Sequence, residues 1–130
     1  MIKILVDENL SEHLADGLNA IQRPLENGIQ VVSMAAIFGK GTKDDIWIPM
    51  WGKQDGIFLT EDYNITRTRH LAELLEQNHF GAFFIKVPNK TSYWDRVNMI
   101  IKHWPEITKI VARKKKPCAY LVTPRKLEKM

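Results

Sequence analysis

Acidic side chains follow two apolar segments of the chain at the point where each segment ends. The segment Ile-Lys-Ile-Leu-Val at residues 2–6 is followed by an Asp-Glu pair at 7–8, and the segment Gly-Ile-Phe-Leu-Thr at residues 56–60 by a Glu-Asp pair at 61–62. Hard divalent cations such as Mg²⁺ take oxygen ligands, so carboxylates gathered in this way could hold a metal ion. Such an ion could activate a water molecule and neutralise charge that builds up on a phosphodiester.

A third acidic pair, Asp44 and Asp45, follows the glycine-rich loop at residues 39–43. Helix N-termini favour negative charge, so this pair is typical of a helix start as well as of a metal site. The case for Asp7 and Asp62 is stronger, because both follow segments that we predict to be buried strands of one sheet.

These acids need a scaffold that brings distant segments together. Apolar runs rich in β-branched residues predict strands buried on both faces, at about residues 2–6, 29–33, 56–60, 82–87 and 119–122. Apolar residues at helical spacing predict intervening helices at about residues 10–21, 44–54 and 66–78, and a further one behind Ser92. This order predicts an α/β fold with a mostly parallel sheet of about five strands flanked by helices and right-handed crossovers. In such sheets ligands bind beyond the carboxyl ends of the strands, where the acids would lie.

The helix behind Ser92 has a strongly apolar face. Its first residues, Tyr93 and Trp94, are assigned to that face, and we interpret the four tryptophans of the chain as core residues. Pro105 is expected to kink or restart this helix, and the last residues of the chain are expected to fray.

Composition limits the class of protein. A chain of 130 residues is expected to form one domain, and its single cysteine, Cys118, excludes an internal disulfide. No apolar segment approaches the roughly 20 residues that span a membrane, and the first apolar run stops too early for a signal peptide, so we expect a cytoplasmic protein without membrane association.

The basic residues are concentrated near the C-terminus. Residues 1–108 carry 11 basic and 14 acidic side chains, whereas residues 109–130 carry 8 basic and 1 acidic. This segregation is typical of an edge that binds a polyanion beside a carboxylate site, and equally of a solvated tail.

Three segments resemble the PIN-like domains. They are Ile-Leu-Val-Asp-Glu-Asn-Leu at 4–10, Gly-Thr-Lys-Asp-Asp-Ile-Trp at 41–47 and Phe-Leu-Thr-Glu-Asp at 58–62. The resemblance continues through the Phe-Phe-Ile strand at 83–85 and Trp-Pro-Glu-Ile at 104–107, so that it covers most of residues 1–111. More specifically, the chain resembles the small VapC-type toxins of bacterial toxin–antitoxin systems.

The resemblance implies a PIN-like three-layer fold and a ribonuclease, dependent on Mg²⁺ or Mn²⁺, that hydrolyses RNA phosphodiesters. It implies that Asp7, Asp44 and Asp62 are the catalytic and metal-binding acids, with Asp7 and Asp62 bridging the metal and Asp44 ligating it or orienting a water. Thr60 and Asn9 would tune these acids by hydrogen bonding. The further candidates for the site are Glu8, Asp45, Glu61, Asn64, Arg67 and Arg69.

The same resemblance implies an organisation and partners. Residues 1–111 would form the PIN-like core, and residues 112–130 a basic segment with an edge strand at 119–122. RNA would be the substrate and a cognate antitoxin protein the partner, and homodimerisation stays open.

Two other functions remain open. Many PIN nucleases carry a further acid shortly after Thr-x-Asp, whereas this chain has Tyr-Asn-Ile-Thr at residues 63–66. That difference fits a catalytically degenerate PIN-like module that binds RNA or a partner. A receiver-type phosphoacceptor domain also has acids after its first and third strands, but Asp44 and Trp47 have no place in its scheme.

Overall fold

The fold comes from a computed structural model, which describes residues 1–61 and 65–130. For residues 65–68 it describes the backbone and not the side chains. The strands are β1 (Ile2–Val6), β2 (Ile29–Ser33), β3 (Ile57–Glu61), β4 (Gly81–Ile85), β5 (Cys118–Val122) and β6 (Leu127–Lys129). The helices are α1 (Glu12–Gln22), α2 (Met34–Ile37), α3 (Asp44–Gly52), α4 (Ile65–Gln77) and α5 (Tyr93–Ala112), with a 3₁₀ turn at Arg23–Leu25. The predicted strands and helices therefore all form, most of them with bounds close to those expected.

The described residues form one sheet with strand order β2-β1-β3-β4-β5-β6. Strands β1 to β5 run parallel and β6 runs antiparallel to β5, so the predicted mostly parallel α/β fold is confirmed. The predicted strand at 119–122 corresponds to β5, whose outer side is covered by β6. The expectation of a frayed C-terminus was wrong: Leu127 pairs with Val122 and packs against the core.

The sheet is buried between two helical layers. Ile4, Val6 and Leu59 face the layer of α1 and α5, which we call the α1/α5 face. Leu5 and Phe58 point the other way, onto α2, α3 and α4, which we call the α3/α4 face. From β1, the chain crosses to β2 on one side and then back to β3 on the other. The carboxyl ends of β1 and β3 therefore flank the point where the strand order reverses, which is where open α/β sheets bind ligands.

Helix α5 differs in two ways from what its sequence predicts. It continues through Pro105 as one helix, because Trp104 and Ile107 are buried on either side of the proline. The assignment of its first turn to the core was wrong: Tyr93 is 51% exposed and Trp94 is 72% exposed. Trp47, Trp51 and Trp104 are buried, as predicted. No helix in the described part of the chain is long and apolar enough to cross a membrane.

Candidate active site

Asp7 is fixed at the carboxyl end of β1 by contacts with β3. Its backbone N–H donates to Leu59 O at 3.0 Å, which continues the pairing of the two strands for one more residue. Asp7 as a whole is only 7% exposed. Thr60 Oγ1 donates to Asp7 Oδ2 at 2.7 Å, and Asn9 Nδ2 donates to the same oxygen at 3.3 Å. Both hydrogen bonds fix the orientation of a carboxylate that the surrounding strands have largely removed from water.

The partners of Asp7 are neutral. The salt bridges among the described side chains join Arg96 to Glu61 and Lys126 to Glu128, and neither includes Asp7. Both side-chain hydrogen bonds reach Oδ2, and Oδ1 accepts none from a residue that the structure describes. A buried carboxylate is costly unless a cation or several hydrogen bonds compensate it. The donor set at Asp7, a carboxylate with neutral hydrogen-bond partners, therefore fits a bound divalent cation.

Asp44 is oriented by a buried tryptophan. It lies in the first turn of α3, where Trp47 Nε1 donates to Asp44 Oδ1 at 3.0 Å. Trp47 is 2% exposed and packs on Phe58 of β3, with the ring centroids 4.6 Å apart. Because Phe58 and Thr60 lie on the same face of β3, Trp47 ties Asp44 to the α3/α4 face of the sheet, which also carries the Thr60–Asp7 contact.

Glu8 positions the loop before α3. Its Oε2 accepts a hydrogen bond from Gly41 N at 3.1 Å, three residues before Asp44. Thr42 Oγ1 donates to Phe38 O at 2.8 Å, a hydrogen bond that links the two ends of the loop at residues 38–42. These contacts hold the start of α3 near the carboxyl end of β1. Asp45, the next residue of the helix, is exposed.

Glu61 is turned away from Asp7. Strand alternation places Glu61 on the α1/α5 face, opposite to Thr60, and there its Oε1 forms an ion pair with Arg96 Nη1 of α5 at 2.5 Å. The structure therefore pairs this candidate ligand with a cation of the protein itself. Arg96 was not among the candidates from sequence, since a lone arginine in an amphipathic helix gives no signal of its partner 35 residues away.

Several predicted site residues lie beyond what the structure describes. Asp62 and Asn64 fall outside the described residues, as does the side chain of Arg67. Arg69 is described and lies exposed on α4. Within the described ranges, no three His, Cys, Asp or Glu side chains are grouped so that they could hold a metal ion.

A groove of about 370 Å³ lies beside the carboxyl end of β3. Asn9, Glu61 and Arg96 line it together with the segment 87–90 that follows β4. Since Asn9 also donates to Asp7, the groove begins next to the buried carboxylate. It offers a path along which an extended ligand could leave the site.

The basic C-terminal segment is divided between the two edges of the sheet. Lys116 Nζ donates to Asp55 O at 2.5 Å, just before β3 begins, so the cluster at 113–116 lies at the amino edge, opposite to Asp7. For this cluster, the alternative of a polyanion-binding edge beside the acids was wrong. Arg125 and Lys126 lie in the turn after β5, at the carboxyl edge.

At the amino end of β5, burial raises the pKa of the Cys118 thiol above its usual value, so that it is protonated at neutral pH.

We expect Thr60→Val to destabilise the protein and to weaken the site. Thr60 is 1% exposed, and valine would leave Asp7 Oδ2 with the Asn9 contact alone. Loss of one hydrogen bond to a charged group costs about 1.5–3 kcal/mol, which would be measured as a lower free energy of unfolding in denaturant titrations. Thr60→Ser keeps the hydroxyl and is the matched control. Equal stability of Thr60→Val and the parent would contradict this role.

The comparisons with known proteins support one family. A family model described as a PIN-like domain matches residues 2–87, which is more than half of the chain. The match extends from β1 through β4 and so includes Asp7, Asp44 and Thr60. The comparison with curated proteins gave no match, and the comparison with solved structures gave none either.

Proposed function

The chain belongs to the PIN-like domain family, a superfamily of nucleases, and on this premise we propose that it is a metal-dependent endoribonuclease. The observation that carries the proposal is the environment of Asp7. A buried carboxylate with neutral hydrogen-bond donors lies at the point where the strand order reverses, and no cationic side chain among the described residues compensates it.

The proposed ligands are Asp7, Asp44 and Asp62, and the proposed cofactor is Mg²⁺ or Mn²⁺. Carboxylate oxygens suit both ions, which usually keep water and substrate phosphate as their remaining ligands. Asp62 enters the proposal from the sequence, one residue beyond the described end of β3. When bound, the metal would supply a nucleophilic water at neutral pH and stabilise charge on the phosphodiester.

The other residues of the site would hold these acids in place. The Thr60 hydroxyl and the Asn9 amide donate to Asp7 and fix the orientation of its carboxylate. Trp47 fixes one oxygen of Asp44 and leaves the other free of this contact. Arg69, exposed near the start of α4, could pair with a substrate phosphate.

We further propose that the protein is the toxin of a toxin–antitoxin system. The sequence resemblance to VapC-type toxins supports this, and a ribonuclease that acts on its host's RNA requires restraint. A cognate antitoxin protein is therefore the proposed partner, acting in the cytoplasm. A homodimer would be a further assembly.

A second function is favoured by the state of Glu61. Because Glu61 forms an ion pair with Arg96, one acid fewer is available at the carboxyl edge to bind a metal ion. The sequence after Asp62 contains no further acid before Glu73. A catalytically degenerate PIN-like module would bind metal or RNA at the same edge without cleaving. The two functions differ in one measurable property, the hydrolysis of RNA.

We expect the purified protein to cleave a mixed RNA pool in the presence of Mg²⁺ or Mn²⁺ and to stop when a chelator is added. Cleavage products would be separated on a denaturing gel, and end mapping would show the positions cut. Addition of excess Mn²⁺ after chelation is the control and should restore cleavage. Intact RNA in the presence of folded protein with bound metal would contradict the nuclease and support the degenerate module.

A further inference from the structure

An exposed aromatic pair opens helix α5. The Tyr93 and Trp94 rings lie 5.6 Å apart between centroids at an interplanar angle of 78°, with 51% and 72% of the two residues exposed. Aromatic residues contribute large buried areas when they pack, so a pair held in solvent suggests a surface built for contact. Tyr93 lies at helical spacing from the buried Ile100, Trp104 and Ile107, so its exposure comes from its position in the first turn of α5 and not from the face it occupies.

The pair lies at the same edge of the sheet as Asp7. Strand β4 ends at Ile85, and residues 86–92 lead from its carboxyl end to α5. The groove described above is lined by Lys90 and Arg96, which flank the pair along the chain, and by Asn9, which donates to Asp7. The groove therefore extends from Asn9, which contacts the proposed catalytic carboxylate, to Lys90 and Arg96, on either side of the aromatic pair in the sequence.

The charge of this surface suits a polyanion. Residues 86–96 include Lys86, Lys90 and one acid, Asp95, while the charge of Arg96 is paired with that of Glu61 in the same groove. Lys86 and Lys90 are exposed, and neither belongs to a salt bridge among the described side chains. Aromatic rings beside basic side chains are the combination that single-stranded nucleic acid binds, because bases stack on the rings while the cations contact phosphates.

We propose that Tyr93 and Trp94 form a stacking platform for an unpaired base of RNA bound across the active site. The inference rests on the proposed ribonuclease function and adds to it a base-binding surface at the start of α5, outside the acidic site. An unpaired base on Trp94 would place the neighbouring phosphates near Lys90, in the groove that Asn9 also lines. Duplex RNA would be a poor substrate, since its bases are already stacked and cannot reach the platform.

The test measures binding without cleavage. The full chain, with chelator present, is titrated into a fluorescein-labelled, unstructured RNA of about ten nucleotides, a length within the usual range of single-strand sites. Anisotropy gives the dissociation constant for the parent and for Trp94→Ala, Trp94→Phe and Met50→Ala. Met50 is a matched control, because it is 53% exposed but lies on α3, away from the platform.

We expect Trp94→Ala to bind RNA about 5- to 150-fold more weakly, which corresponds to the loss of one stacked base. Trp94→Phe should retain most of the affinity, and Met50→Ala should match the parent. RNA should also quench the tryptophan fluorescence of the parent but not that of Trp94→Phe, because the other three tryptophans are buried.

Three results would overturn the proposal. Equal RNA affinity of Trp94→Ala and the parent would exclude the platform while leaving the nuclease intact, since cleavage is assayed separately. Absence of RNA binding to the parent would exclude it as well. Unchanged RNA binding together with loss of self-association in sedimentation of Trp94→Ala would identify the pair as a protein–protein contact instead.

Discussion

Asp7→Asn is expected to lower metal-dependent RNA cleavage by about 10²- to 10⁴-fold. Removal of one partner from a buried charge pair costs about 3–5 kcal/mol, and each 1.36 kcal/mol lost from transition-state stabilisation is a factor of ten in rate. Asparagine has nearly the same shape and keeps an oxygen that can accept from Thr60, so the loss would come from the charge. The rate of cleavage of a labelled RNA at saturating Mn²⁺ measures it.

Two further measurements separate this charge effect from damage to the fold. Without metal, Asp7→Asn should be at least as stable as the parent in urea, because it removes a buried charge that lacks a cationic partner. Mn²⁺ should raise the Tm of the parent, because a ligand that binds only the folded state stabilises it, and should not raise the Tm of the variant. Asp16→Asn, on the exposed side of α1, is the matched control. If Asp7→Asn cleaves RNA at the parent rate, Asp7 has no part in the mechanism.

The part of this site that follows from sequence depends on local signals. Asp7 follows, and Thr60 ends, a run of apolar residues long enough to predict a buried strand. Parallel strands bring their carboxyl ends to one edge of the sheet, so the two residues are expected to lie close together. Ser92 caps α5 by accepting from Asp95 N, as its spacing predicts. Such features depend on residues close together in the chain, so a single sequence contains them.

Other contacts could not be predicted from the sequence, because they depend on the register of strand pairing or on the position of a residue at the end of a helix or strand. Glu61 and its neighbour Thr60 point to opposite faces of β3, and only the pairing of that strand decides which of them meets Asp7. Trp94 has the apolar character of a core residue and is exposed because of its position on the first turn of α5. Strand β6 contains one apolar residue among charged ones, too few for a recognisable period.

Trp47→Phe is expected to reduce cleavage about 10- to 100-fold although residue 47 would touch neither metal nor RNA. Phenylalanine keeps an aromatic ring against Phe58 and Phe80 but has no N–H to donate to Asp44 Oδ1. Loss of a group that orients a metal ligand typically costs this factor in metal affinity or activity. Calorimetric titration of Mn²⁺ and the cleavage rate would both be measured. Trp47→Ala should instead destabilise the whole protein by about 3–5 kcal/mol, because it empties a buried site.

Trp51 supplies the control that distinguishes orientation of Asp44 from simple loss of packing. It is 1% exposed on the same helix, and its Nε1 donates to Ile57 O at 3.0 Å, far along the strand from the carboxyl edge. Trp51→Phe therefore removes a comparable buried hydrogen bond and should lower the free energy of unfolding by a similar amount, about 1–3 kcal/mol. Its cleavage rate and Mn²⁺ affinity should stay at the parent values. If both variants lose activity in proportion to their loss of stability, the indole of Trp47 contributes to the fold and not to the site. If only Trp47→Phe loses activity, the buried core of the α3/α4 face sets the position of a catalytic acid.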